Sequence, residues 1–241
     1  MSNPRTLEPS NPRTPEPPNP LNPLPMFPNT IVFIDAGHGG LNRAGEYTTA
    51  PSKMFRHARG AFHQGSNFYE GVWNRVVTNQ VMRKLDRFGI TYLPLHHDYL
   101  DNSLQHRVDM ANWYGTKFAR SLVVSTHANA SVPHTARGFE IYTSPGTTES
   151  DKVASIHWNN VNLLRNFYPK GTQITMRTTP SGSQHDNEAN FFILRKTNMP
   201  AILIEHLFFD NFEDATLLMD DNVVDLFAEA QVRTIIEYFN A

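Results

Sequence analysis

The chain has 241 residues, and the first thirty read unlike the rest, which leaves about 210 residues, enough for one domain with a substantial hydrophobic core. A formal charge of -2 excludes the basic stripe expected of a general nucleic-acid binder, and the absence of cysteine excludes disulfides and thiolate metal sites. Eleven histidines leave room for a metal site of imidazole and carboxylate.

Taken from the N-terminus, residues 1–29 carry the near-repeat "NPRTLEPS", "NPRTPEPP", "NPLNPLP". Such proline-rich sequence cannot bury a core and favours extended polyproline II conformations. It reads as a disordered tail or linker, with docking to an unknown partner through aromatic grooves as the alternative. It has no apolar stretch of the kind a signal peptide carries, and no run of about 18 apolar residues follows that would span a membrane. The expectation is a protein made in the cytoplasm and released by an unknown route.

Residues 30–241 read as one folded domain. "TIVFID" is a short buried strand, followed by a long polar loop. "EGVWNRVVTNQVMRKLDRFG" carries Val72, Val76, Val77, Val81, Leu85 and Phe88 at helical spacing, stopped by Gly89. "ITYLPL" is a second strand. A helix over "SLQHRVDMANWYG" starts at an Asn102 or Ser103 cap and ends at Gly115. "SLVVSTHAN" and "GFEIYT" are strands, "SDKVASIHWNNVNLLRNFY" is a helix, "PAILIEHLF" is a last strong strand, and "NVVDLFAEAQVRTIIEYF" closes the chain as a helix. This alternation predicts an α/β fold in three layers, a largely parallel twisted sheet covered by helices on both faces.

In such sheets ligands gather beyond the carboxyl ends of the strands. His38 falls just past the end of the first strand in "IVFIDAGHGG", His127 at the end of "LVVST", and Glu205 at the end of "AILI". A catalytic zinc site takes three protein ligands and leaves one position open. His38 and His127 supply two of them, and Glu70, opening its helix, is the natural third. The ordinary alternative for Glu70 is an acid stabilised by the helix N-terminus, worth about 0.3–1 kcal/mol. A carboxylate at Glu205 is costly in a buried strand unless paired. It reads as a general base, or else as a glutamate bonded to backbone donors.

The runs "IDAGHGG", "YEGVWN", "RVDMANWY", "VVSTHANA", "RGFEIYTS" and "MPAILIEHLFFDN" occur in the order found in the zinc-dependent N-acetylmuramoyl-L-alanine amidase family, which this sequence resembles from Ile31 to its end. The most specific pieces are Asp-x-Gly-His-Gly-Gly, Ser-x-His-Ala-Asn and Pro-Ala-x-Leu-x-Glu. The resemblance implies one zinc ion held by His38, Glu70 and His127, with Glu205 as the catalytic glutamate. It implies hydrolysis of the amide between N-acetylmuramic acid and L-alanine in peptidoglycan. Asp35 and Asn129 fall where the family supports the ligand imidazoles, and Arg107 reads as structural support. Peptidoglycan is then the partner, with no nucleic acid and no membrane, and the protein is expected to be a monomer, either a lysin of the phage type or a bacterial enzyme.

Two other readings stay open: a zinc peptidase cutting the peptide stem or cross-link, and a catalytically silent wall-binding module. The segment between His38 and Glu70 is longer than compact family members have. Its Arg43, Lys53, Arg56, His57, Arg59 and His63 read either as a solvated loop or as a flap whose cations meet peptidoglycan carboxylates. His57 or His63 is an alternative ligand. The stretch "TTPSGSQHDNEANFFILRKTNMP" is a candidate second wall, with His185 near the metal. His206 should point away from Glu205 and be structural. The glycines around His38 are expected to supply the sharp turn.

Overall fold

The computed structural model describes residues 27–177 and 185–241. Most of the proline-rich segment and residues 178–184 of the candidate second wall lie outside the described residues.

Strand β1 (Thr30–Ala36) is buried along its whole length, as a central parallel strand must be. A short hairpin of β2 (Met54–Arg56) and β3 (Asn67–Tyr69) leads into α1 (Glu70–Phe88). Gly89, in the left-handed conformation, ends α1 where the sequence places its stop. β4 (Tyr92–Pro94) precedes α2 (Leu104–Gly115), capped by Ser103 Oγ accepting from the His106 N–H at 3.2 Å, a contact worth about 1 kcal/mol. There follow β5 (Arg120–Asn129), β6 (Glu140–Thr143), and α3 (Glu149–Leu164) with its Thr148–Asp151 capping box. The chain closes with β7 (Asn187–Glu188), α4 (Phe192–Lys196), β8 (Ala201–Phe208), α5 (Phe212–Leu218) and α6 (Asp221–Asn240).

Six strands form the main sheet in the order β4-β1-β5-β8-β6-β7. All neighbours are parallel except β6, which runs antiparallel to β8. The sheet is therefore mixed and mostly parallel, and the period-2 alternation of its strands feeds two cores. Val32, Ile34, Leu122, Val124, Ile202 and Ile204 face α1, α3, α5 and α6. Ile31, Phe33, Val123, Ala201 and Leu203 face α2 and α4. Phe27 already belongs to the larger core, its ring centroid 5.8 Å from that of Phe239. Among the described residues no helix is long and apolar enough to cross a membrane.

The elements that the sequence does not announce are the short ones. β2 and β3 have three residues each, β7 has two and α4 has five, too few for a periodicity to show.

Candidate active site

The parallel register sets three strand ends side by side. Asp35 pairs with Ser125 across β1 and β5, and His127 pairs with Glu205 across β5 and β8. His127 and Glu205 follow the alternation of Val123 and Leu203, so both rise on the face shared with α2. Glu70 is the first residue of α1, delivered from the opposite face by the β2–β3 hairpin.

His38 itself takes the left-handed conformation, with φ 64°. The glycines beside it are the expected carriers of the turn, but the positive φ falls on the histidine. Gly37 is required for a different reason. A Cβ there would lie 2.0 Å from Cε1 of His127, inside the imidazole ring's own space. Two buried guanidinium groups brace the strained residue. Arg75 Nη2 donates to the His38 carbonyl at 2.8 Å and Arg107 Nη2 at 3.3 Å. Asn74 Nδ2 donates to the Gly37 carbonyl at 3.0 Å.

The side chains converge on Glu70, which is 1% exposed. Its Oε1 lies 3.0 Å from His127 Nδ1 and 3.3 Å from His38 Nε2, and the two imidazoles meet edge to face with centroids 5.0 Å apart. One ligand atom from each of His38, Glu70 and His127 can be chosen so that all lie within 4.8 Å of one another. Burial pushes the Glu70 carboxyl up, but its bond to His127 and its contact with His38 outweigh this and hold it below the usual range. Burial pushes the His38 imidazole down, against its contact with Glu70.

Three buried polar atoms in this cluster have no hydrogen-bond partner: His38 Nε2, Glu70 Oε2 and Glu205 Oε2. Orphaned buried acceptors are costly. Two imidazoles and a carboxylate aimed at one point fit a divalent cation with nitrogen and oxygen preference. Glu205 stands on the next strand with its carboxyl pushed well above the usual range by burial and by the charges of Glu70 and Glu140, with Lys53 opposing.

Of these groups His38, His127 and Glu205, but not Glu70, line a cavity of about 500 Å³. His38, His127, Glu205 and Lys53 lie on its polar side, and Leu104, Phe191, Phe192, Ile193 and Leu203 form an apolar wall. The "FFI" part of the expected second wall thus lines the cavity. His185 does not: it stacks on Trp158, centroids 4.2 Å apart and rings within 3° of parallel.

The other candidates also have structural duties. His57 Nε2 lies 3.0 Å from the Phe209 carbonyl, and His63 Nδ1 accepts from the Tyr69 N–H at 3.0 Å; neither lines the cavity. His206 points to the opposite face, as expected, where its Nδ1 meets the His127 carbonyl at 2.9 Å and its Nε2 meets Gln231 Nε2 at 3.2 Å. Among the described residues Asp35 hydrogen-bonds no imidazole. It accepts from Arg107 Nη1 and, at 2.6 Å, from Ser125 Oγ. Burial alone would raise its carboxyl; Arg107 and Ser125 bring it below the usual range. Asn129 likewise serves Glu140, to which its Nδ2 donates at 2.8 Å. Arg75, Asn74 and Tyr47, whose hydroxyl accepts from the Gly71 N–H at 3.0 Å, are parts of the site that sequence reasoning missed. In the sequence they are an arginine and an asparagine inside a helix and a tyrosine in a loop, with no signal to single them out.

Fold and site together define an α/β domain with a metal-competent His–Glu–His cluster at the carboxyl edge of its sheet. The family model for N-acetylmuramoyl-L-alanine amidase matches residues 32–237, and the chain belongs to that family. An N-acetylmuramoyl-L-alanine amidase of known structure from Clostridium difficile 630 superposes with a TM-score of 0.67 at 25% identity, over 88% of this chain and 97% of that one. The sporulation-specific N-acetylmuramoyl-L-alanine amidase of Bacillus subtilis is 26% identical over 213 residues, covering 87% of this chain and 68% of that protein. The endolysin of Bacillus phage SPP1 is 29% identical over 123 residues, 49% of this chain. This match spans 40% of the endolysin's length, and a match to the Bacillus licheniformis amidase CwlM spans 47% of that protein.

Proposed function

We propose that this protein hydrolyses the amide between the lactyl group of N-acetylmuramic acid and the L-alanine of the stem peptide, acting on the bacterial cell wall. The observation that carries this reading is the meeting of His38, Glu70 and His127 within 4.8 Å at a sheet edge where Glu205 keeps an unpartnered buried oxygen. Membership of the amidase family supplies the bond.

His38 Nε2, Glu70 and His127 Nδ1 would hold one zinc ion. Zinc in such a site lowers the pKa of water toward about 7 and polarises a carbonyl oxygen. The remaining work falls to the chain. Glu205 takes the proton of the attacking water on its unpartnered Oε2 and delivers it to the alanine nitrogen as the C–N bond breaks. A carboxyl whose affinity for protons is raised by burial is suited to hold that proton between the two steps. The apolar wall of Phe191, Ile193 and Leu203 excludes water from the reacting atoms. Residues before the folded domain are read as a tail or linker, and the domain as a monomer.

The test is mass spectrometry of purified peptidoglycan digested with and without a chelator. The reading requires chelator-sensitive release of peptides with a free L-alanine amine from intact glycan strands. Cleavage inside the peptides would assign a peptidase instead, and no cleavage by zinc-loaded protein would assign a binding role.

A further inference from the structure

The long segment between His38 and Glu70 brings one cation to the active site and sends its neighbours elsewhere. Arg59 stacks over the Phe212 ring at 4.4 Å from its centroid, and His57 is buried among Phe55, Phe62 and Phe212. Of the segment's lysines, arginines and histidines beyond His38, Lys53 alone lines the cavity. The second basic side chain there, Arg107, is committed to Asp35, Asp101 and the carbonyls of Ala36, His38 and Asn102.

Lys53 is held in place by construction. The β2–β3 hairpin pairs Met54 with Tyr69, so Lys53, one residue before, stands opposite Glu70, one residue after. A 3-10 turn over Pro51–Lys53 fixes its approach. The Tyr47 hydroxyl donates to the Lys53 carbonyl at 2.9 Å while accepting from the Gly71 N–H, tying the lysine's backbone to the start of α1. The ammonium lies 3.6 Å from Glu70 Oε2, and its side chain is 38% exposed. Once the charge of Glu70 is taken up by a metal, this ammonium on the cavity wall faces Glu205, and it is open to an anion that the substrate brings whenever Glu205 holds a proton.

We infer that Lys53 is a specificity-determining residue which binds a carboxylate of the stem peptide just beyond the scissile amide, that of its second residue. This rests on the amidase reading above. Successive Cα atoms are about 3.8 Å apart, so a carboxylate one residue past the reacting L-alanine falls within reach of a lysine that already touches the metal cluster. Pairing an ammonium with a carboxylate at a partly desolvated wall favours the acid over its neutral amide. The acidic form of the second residue, D-glutamate, is therefore the preferred substrate over D-isoglutamine, in which the same carboxyl is an amide.

The experiment compares N-acetylmuramoyl-L-Ala-D-Glu with N-acetylmuramoyl-L-Ala-D-isoglutamine, both with the γ-carboxyl blocked as the methylamide so that the α-carboxyl is the one difference, on the full chain and its Lys53→Met and Lys53→Arg variants, with zinc content measured for each. The full chain should show a KM about tenfold lower for the acid. Lys53→Met should raise KM for the acid about tenfold more than for the amide, so that the preference is lost whatever change in kcat the two substrates share through Glu205, with the arginine variant retaining the preference. Equal KM values for both substrates in the full chain overturn the assignment. So does a Lys53→Met variant that loses kcat on both substrates alike while keeping the preference for the acid, or that loses zinc, the behaviour of a lysine that only balances Glu70 and Glu205. Failure of the zinc-loaded full chain to cleave either substrate refutes the amidase reading instead. Calorimetry with the peptides L-Ala-D-Glu and L-Ala-D-isoglutamine, γ-methylamides both, then decides on Lys53 by itself, since preference for the acid must still vanish in Lys53→Met.

Discussion

The imidazole of His127 occupies the space that a side chain on Gly37 would need, with a Cβ at residue 37 only 2.0 Å from its Cε1. No adjustment of a few tenths of an ångström relieves such an overlap, so Gly37→Ala must push the His127 ring or the β1–His38 turn aside. Misplacing a reacting group by about 1 Å costs on the order of 100-fold in rate. We expect Gly37→Ala to keep a native circular-dichroism spectrum while losing about two orders of magnitude in peptidoglycan hydrolysis and binding zinc more weakly. Unchanged zinc affinity would mean that the ring has room the geometry denies it.

Glu205 and His127 pair across β5 and β8 but should fail differently when removed. Glu205→Ala leaves the His–Glu–His cluster intact, so zinc content by atomic absorption should match the parent while turnover falls about 10³-fold or more. His127→Ala should lose both zinc and turnover. Near-parental activity in Glu205→Ala would remove the glutamate from its role as proton carrier.

The framework of this arrangement is legible in the sequence because strand ends are. A buried run such as "IVFID" followed by glycines, or "AILI" followed by a glutamate, marks where a parallel sheet stops, and the layer rule places those ends together. Glu70 could be read for a similar reason, since it opens a helix with a strong apolar stripe. Of the bracing, Arg107 was legible as structural support through the resemblance, and Arg75 was not. Arg75 lies inside α1 and donates to the carbonyls of Gly71, His38 and His97, a role set by loop paths that no periodicity encodes. The positive φ of His38 was hidden for a related reason. Glycine is the usual carrier of that conformation, and here the neighbouring Gly37 is needed for space instead. The pairing of Met54 with Tyr69, which sets Lys53 beside Glu70, involves strands of three residues and gives no pattern to find.

Arg107 and Asp35 form an ion pair buried on both sides, each side chain 2% exposed. Removing one partner leaves a charge in the interior without compensation, which costs about 3–5 kcal/mol, whereas removing both is often far cheaper. Arg107→Met should therefore lower the urea-unfolding free energy by about 3–5 kcal/mol, and the double variant Asp35→Asn, Arg107→Met should recover part of the loss. Additive losses in the double variant would show that the arginine acts through its bonds to the Ala36, His38 and Asn102 carbonyls rather than through the pair.

Stability should fall in acid because the core holds neutral histidine. His157 is fully buried between α3 and α6, its Nδ1 3.0 Å from Thr234 Oγ1, and burial pushes its pKa down to about 3 against the opposing hydrogen bond to the Ala230 carbonyl. His206 is likewise pushed down to about 3 by burial. Unfolding releases each imidazole to its ordinary value of 6.5. Between pH 6.5 and 3 the unfolded chain therefore binds more protons than the folded one, and stability declines as pH falls through that window. Each such histidine contributes a slope of up to about 1.4 kcal/mol per pH unit, and below its folded value the slope vanishes. Urea titrations at pH 7, 6, 5 and 4.5 should show this decline, with His157→Gln shallower by about one proton's worth of slope even where its stability at pH 7 is lower. A slope identical to the parent's would mean that His157 is already protonated in the folded state, and that Thr234 and the Ala230 carbonyl accept from a charged ring.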